Sequence, residues 1–85
     1  MMTEEEAIKI AEQHHGPKFE FYKITHGVPD NCSLYGSFSR YPDDVWCILC
    51  SAYPHRNDLL ISSRAIVICK DTGKILYDGD AGDEG

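Results

Sequence analysis

The chain is short of positive charge, of long apolar runs and of export signals, and each shortage excludes something. Eight Lys and Arg stand against 14 Asp and Glu, for a net charge of −6. The excess acid lies at the two ends: Glu4, Glu5, Glu6 and Glu12 against Lys9 leave residues 1–15 at −3. Asp71, Asp78, Asp80, Asp83 and Glu84 against Lys74 leave residues 71–85 at −4, with +1 between. Such ends repel a phosphate backbone, so nucleic acid is not an expected partner, whereas a basic protein surface is compatible with them. The longest apolar run, Val45 to Cys50, is far too short to span a bilayer. The acidic start, Met1-Met2-Thr3-Glu4-Glu5-Glu6, is unlike a secretory signal, which predicts a cytosolic protein with free thiols at Cys32, Cys47, Cys50 and Cys69. No internal repeat or composition boundary divides the 85 residues, so a single domain over 1–85 is expected.

What is present reads as an α+β domain. Thr3 and Glu6 have the spacing of a capping box, and Gly16-Pro17 supplies a stop, so a helix is predicted over residues 4–15. Ala7, Ile10, Ala11 and His14 fall on one face, with His14 expected as a hydrogen-bonded core residue. Phe19 to His26 is aromatic and β-branched, which predicts a first strand. Gly27 through Asp44 is rich in turn residues and reads as a long loop holding a short edge strand around Leu34–Ser39. Val45 to Tyr53 is apolar at both parities and predicts a central strand covered on both faces. Pro54 to Asp58 is a polar turn or loop. Arg64 to Lys70 and Lys74 to Tyr77 form a hairpin through Asp71-Thr72-Gly73, with Gly73 in the left-handed region. Residues 78–85 are expected to leave the sheet edge as an acidic tail. The architecture that follows is an N-terminal helix packed on one face of a meandering antiparallel sheet of about four strands.

Catalytic motifs are thin. Cys47 and Cys50 have redox-motif spacing, but in a strand residues three apart point to opposite faces, and no helix N-terminus lowers the first thiol. Packing cysteines are the favoured reading; a zinc- or thiol-dependent protein using Cys47, Cys50 and Cys69 is the alternative. The four histidines match no finger spacing, and the 78–85 segment lacks the distal glutamate of a calcium loop. No serine has a nucleophile-elbow setting, no Gly-rich turn precedes a helix, and His55 near Asp58 reads as surface loop. No enzyme activity, cofactor or metal is expected.

Trp46 on a strand, Ser62-Ser63-Arg64 leading into Ala65-Ile66-Val67-Ile68-Cys69, the Lys70-Asp71-Thr72-Gly73-Lys74-Ile75-Leu76-Tyr77-Asp78-Gly79 hairpin and the Gly82-Asp83-Glu84-Gly85 ending resemble small bacterial YrhB-like proteins of the toxin-immunity type. The resemblance covers residues 3–15 and 45–79, a little over half the chain; the long loop at 27–44 and the glycine-rich acidic end depart from it. It implies a non-catalytic binder that neutralises a cognate toxin by covering its active site; the acidic charge balance makes a basic toxin the compatible kind. The contact surface expected on that basis comprises Asp43, Asp44, Asp78, Asp80, Asp83 and Glu84, with Arg64 and the loop aromatics Tyr35, Phe38 and Tyr41. Aromatic anchors would supply hot spots and the acids the association rate. A homodimer formed through an exposed sheet edge is a further structural possibility.

Overall fold

A computed structural model describes residues 2–16, 19–34, 36–50 and 63–82. One helix, α1 (Glu4–His15), precedes four strands, β1 (Phe21–His26), β2 (Val45–Cys50), β3 (Arg64–Cys69) and β4 (Ile75–Asp80). The strands form one antiparallel sheet in the order β1-β2-β3-β4, so the α+β meander expected from the pattern is the fold.

The helix starts where its side chains satisfy its own orphan N–H groups. The Glu6 amide donates to Thr3 Oγ1 at 3.2 Å and the Thr3 amide donates to Glu6 Oε1 at 3.1 Å. These bonds from Thr3 favour the ionised carboxylate and hold the Glu6 carboxyl below its usual value. At the other end Gly16, at φ 94°, closes the last turn on the Glu12 carbonyl. Ala7 and Ala11 are fully buried, and their small side chains let the helix lie close on the sheet over Trp46, Ile48, Cys50, Ile66 and Ile68. His14 does not join this core. It is exposed, because at the end of the last turn it overhangs the sheet margin and meets Asp78.

All six residues of β2 are buried, as its unbroken apolarity predicts. The alternation splits them between two cores. Trp46, Ile48 and Cys50 face the helix. Val45, Cys47 and Leu49 face a second cluster with Ala65, Val67 and Ala81, and the cover over that face is the long loop, through buried Cys32 and Leu34 and half-buried Val28 and Phe38. No strand forms over 34–39 among the described residues. The loop packs by side chains and is tied to the sheet by single bonds, Gly27 N–H to the Val45 carbonyl at 2.9 Å and Ser33 N–H to the Ala81 carbonyl at 2.9 Å. β1 likewise begins at Phe21 rather than Phe19; Phe19 stays outside the ladder and stacks on Phe21, centroids 5.8 Å apart, beside the helix-side core.

The expected acidic tail is corrected at its start. β4 continues through Asp80, pairing Asp78 with Ile66 and Asp80 with Arg64. A β-bulge is the physical reason: Ile75 pairs with Ile68 and Tyr77 with Val67, so Leu76 is an extra residue. Leu76 and Tyr77 therefore both lie against the loop-side core, and the strand resumes with Asp78 on the helix face. Beyond it Ala81 is fully buried and its amide donates to the Ser63 carbonyl at 2.8 Å, which anchors the chain. The β3–β4 turn is as expected, with Gly73 at φ 75° and its amide on the Cys69 carbonyl. Tyr53, the 54–58 turn and the 83–85 end lie outside the described residues.

Gly27 marks where the loop leaves β1. Its φ is 76°, and a Cβ there would stand 2.9 Å from both the Arg40 carbonyl oxygen and the Pro42 nitrogen. Gly16 has a similar φ with nothing within 4 Å. Gly27→Ala is expected to lower the unfolding free energy by about 1–3 kcal/mol in urea titration, and Gly16→Ala by less, about 1 kcal/mol. Equal losses would show that backbone conformation alone, and not the loop's close approach, sets the requirement.

Candidate functional site

The residues expected to form one contact surface are divided between the two ends of the sheet. Tyr41, Asp43 and Asp44 precede Val45, which pairs with Cys69. Arg64, Asp78 and Asp80 lie at the other end, where Cys50 pairs with Arg64 and Arg64 with Asp80. Five strand steps separate the ends, roughly 17 Å. Phe38 belongs to neither, since it packs on the Tyr77 ring at a centroid distance of 5.6 Å within the loop layer. Tyr35, Asp83 and Glu84 lie outside the described residues, as do His55 and Asp58.

At the β4 end the charges are occupied with each other. Arg64 Nε and Nη2 donate to the two carboxylate oxygens of Asp78, each at 2.6 Å, in a bidentate pair. His14 Nε2–H donates to Asp78 Oδ2, also at 2.6 Å, so the carboxylate clamps the end of α1 to the edge strand. The Arg64 hydrogen bonds, reinforced by His14, hold the Asp78 carboxyl below the usual carboxylate value, and Asp78 raises the Arg64 guanidinium in turn. Asp80 accepts from the Gly82 amide at 2.8 Å. This group is a structural clasp of the fold.

The cysteines are not brought together. Cys47 and Cys50 lie in the two opposite cores, as the strand geometry predicts, and all four described thiols are free. Burial pushes the Cys47 thiol up to about 12 and raises that of Cys50, whose Sγ donates to the Arg64 carbonyl. Cys69, half-buried on the hairpin, is the reverse case: hydrogen bonds from the Thr72 hydroxyl and from the Thr72 and Asp71 amides lower its thiol. Among the described residues no three His, Cys, Asp or Glu side chains converge as metal ligands.

The other end of the sheet holds the most unusual chemistry. Lys70, just beyond β3, is only 4% exposed. Its Nζ donates to His26 Nδ1 at 2.7 Å and to the Pro42 carbonyl, and lies 4.5 Å from the centroid of the Trp46 ring. The His26 and Trp46 rings meet at a tilt of 34° with centroids 4.3 Å apart, in register on β1 and β2. The N-terminal strap closes the cluster: Trp46 Nε1–H donates to the Met2 carbonyl at 3.1 Å, and the Met2 amide to the Lys70 carbonyl at 3.3 Å. Among the described residues Lys70 forms no ion pair. A buried ammonium is held here by neutral acceptors and an aromatic face.

His26 also forms one wall of an open cleft of about 430 Å³, completed by Val28, Asp30, Arg40, Tyr41 and Pro42. Tyr41 stands at its edge with 73% of its surface exposed. The turn carrying it is held by three hydrogen bonds: the Asp44 amide donates to the Tyr41 carbonyl at 3.0 Å, the Ser39 hydroxyl to Asp44 Oδ2, and the Tyr41 amide to Ser39 Oγ at 3.3 Å. Asp43, within this turn, is exposed. Of the expected contact residues, the structure therefore groups Tyr41, Asp43 and Asp44 beside the cleft. Lys70 and His26 were not legible as members, because their proximity depends on strand register and the return of the loop.

No family model, curated protein or solved structure matches the chain.

Two outcomes check this assignment. Asp78 has a depressed folded value, so its stabilisation is full above the carboxylate range and is lost as pH falls through that folded value. Asp78→Asn is expected to lose about 1 kcal/mol near neutral pH, because the pair is partly solvated. Its deficit against the wild type should shrink as urea titrations are repeated down to about pH 2.5, where the wild-type carboxyl also becomes protonated. In native thiol alkylation followed by mass spectrometry, Cys69 is expected to react first. Cys47 and Cys50 should label at the rate of unfolding, and modification of Cys47 ahead of Cys69 would contradict the burial assigned to it.

Proposed function

We propose that this chain is a non-catalytic protein-binding module, an immunity-type protein that neutralises a cognate bacterial toxin by direct binding. The observation that carries the proposal is the hydrogen-bonded turn at residues 41–44, which presents an exposed aromatic ring at the edge of a cleft and an exposed carboxylate two residues further on. Pre-ordering of this kind reduces the entropy lost on association, and a tyrosine is a common hot-spot residue. The net charge of −6 favours a basic partner. The resemblance of residues 3–15 and 45–79 to YrhB-like immunity-type proteins supports the same reading. Tyr41 and Asp43 are its central contacts, with Asp44 fixing the turn; Arg64 and Asp78 act on the fold instead.

The test is co-expression with the protein encoded beside it in its host, read as growth and as a complex in native mass spectrometry. The expected result is relief of growth arrest and a stoichiometric complex. Tyr41→Ala should weaken it by about tenfold or more. Asp43→Asn should slow association and flatten its salt dependence while leaving dissociation nearly unchanged. Rescue and binding that are indifferent to both substitutions would remove the turn from the interface, and no rescue with no complex would remove the function.

A further inference from the structure

We infer that the cleft beside Tyr41 is a receptor for a carboxylate side chain on a polypeptide partner, with His26 Nε2–H and Arg40 as its donors. The inference begins with Lys70. An ammonium has three N–H donors and no lone pair, so its 2.7 Å contact with His26 Nδ1 can run in one direction only. Lys70 donates and Nδ1 accepts, which leaves His26 neutral with its proton on Nε2. Nδ1 faces the buried ammonium while the residue as a whole is exposed and lines the cleft, so the Nε2–H edge is the one offered to a ligand.

Two effects make that edge selective for an anion. A cationic donor on Nδ1 polarises the ring and strengthens Nε2–H as a donor. The Lys70 charge itself has no carboxylate partner among the described residues, and burial reduces its screening by solvent. Arg40 stands on another wall. One of its nitrogens donates to the Leu34 carbonyl and its guanidinium lies 5.6 Å from the Phe38 centroid, which fixes the group and leaves other N–H donors for a ligand. Asp30, also in the lining, opposes a bare anion and favours a carboxylate that arrives with amide N–H groups, as on a peptide. The polypeptide source rests on the protein-binding role of the adjoining turn; the carboxylate chemistry rests on Lys70, His26 and Arg40 alone.

The experiment is NMR of the full chain. Long-range ¹H–¹⁵N spectra at about pH 8 are expected to show His26 as the Nε2–H tautomer. Three probes are then titrated to about 20 mM: acetyl-Gly-Glu-Gly-amide, its Gln counterpart and sodium acetate. The Glu peptide should shift His26 Nε2 and the amides of 28–32 and 40–41, with about tenfold weaker responses to the Gln peptide and to acetate. Arg40→Gln should weaken the Glu peptide by about threefold to tenfold and leave the Gln peptide unchanged. A His26 ring protonated at Nδ1 alone, equal responses to the Glu and Gln peptides, or no shift at these residues would overturn the receptor. Acetate acting as strongly as the Glu peptide would overturn the polypeptide source. Because no toxin enters the titration, its failure leaves growth rescue standing, and failed rescue leaves the titration standing.

Discussion

A strand buried along both faces needs cover on both, and the fold is organised by how β2 obtains it. Four six-residue strands cannot close on themselves, so each face must borrow a layer from elsewhere in the chain. One layer is regular: a capped helix that brings Ala7 and Ala11 down onto Ile48 and Ile66. The other is irregular, a stretch of loop whose Cys32 and Leu34 are as deeply placed as many strand residues. The usual division between a rigid core and a dispensable connection does not hold for this molecule. The loop that carries the proposed contacts also covers one of the two hydrophobic cores, and its turn is hydrogen-bonded without belonging to any helix or strand.

The same dependence explains what could be read from the residues in advance. Capping, helical spacing, the two-sided apolarity of Val45–Cys50 and the hairpin glycine are local signals, and the helix, the central strand and the hairpin follow from them. The opposite placement of Cys47 and Cys50 follows equally from the two-residue period of a strand. Three features depend on distant partners and were not legible. The loop's turn-rich composition gives no hint of the face that its few apolar residues will cover. Leu76-Tyr77-Asp78 reads as the end of a strand unless a bulge is allowed, after which Asp78 finds Arg64 and His14. Lys70 looks like an ordinary hairpin lysine until the loop and the N-terminal strap fold over it.

The candidate site shows the same limit more sharply. Charge and aromaticity are one-dimensional properties, and they pooled residues that the sheet sets at opposite ends. Asp78 and Asp43 are equivalent as letters; in space one is neutralised by an internal guanidinium and the other is exposed in a turn. What distinguishes a structural acid from an available one is its partner, and partners are fixed by register.

The chain has a single tryptophan, and it sits in the cluster that joins the helix-side core to the cleft. Trp46 touches the ammonium of Lys70, the imidazole of His26 and, through its indole N–H, the backbone of the N-terminal strap. Its emission is therefore sensitive to a charge, a ring and a hydrogen bond belonging to three separate parts of the chain. The molecule carries a built-in optical probe at the place where its packing and its chemistry meet, free of any background from a second indole.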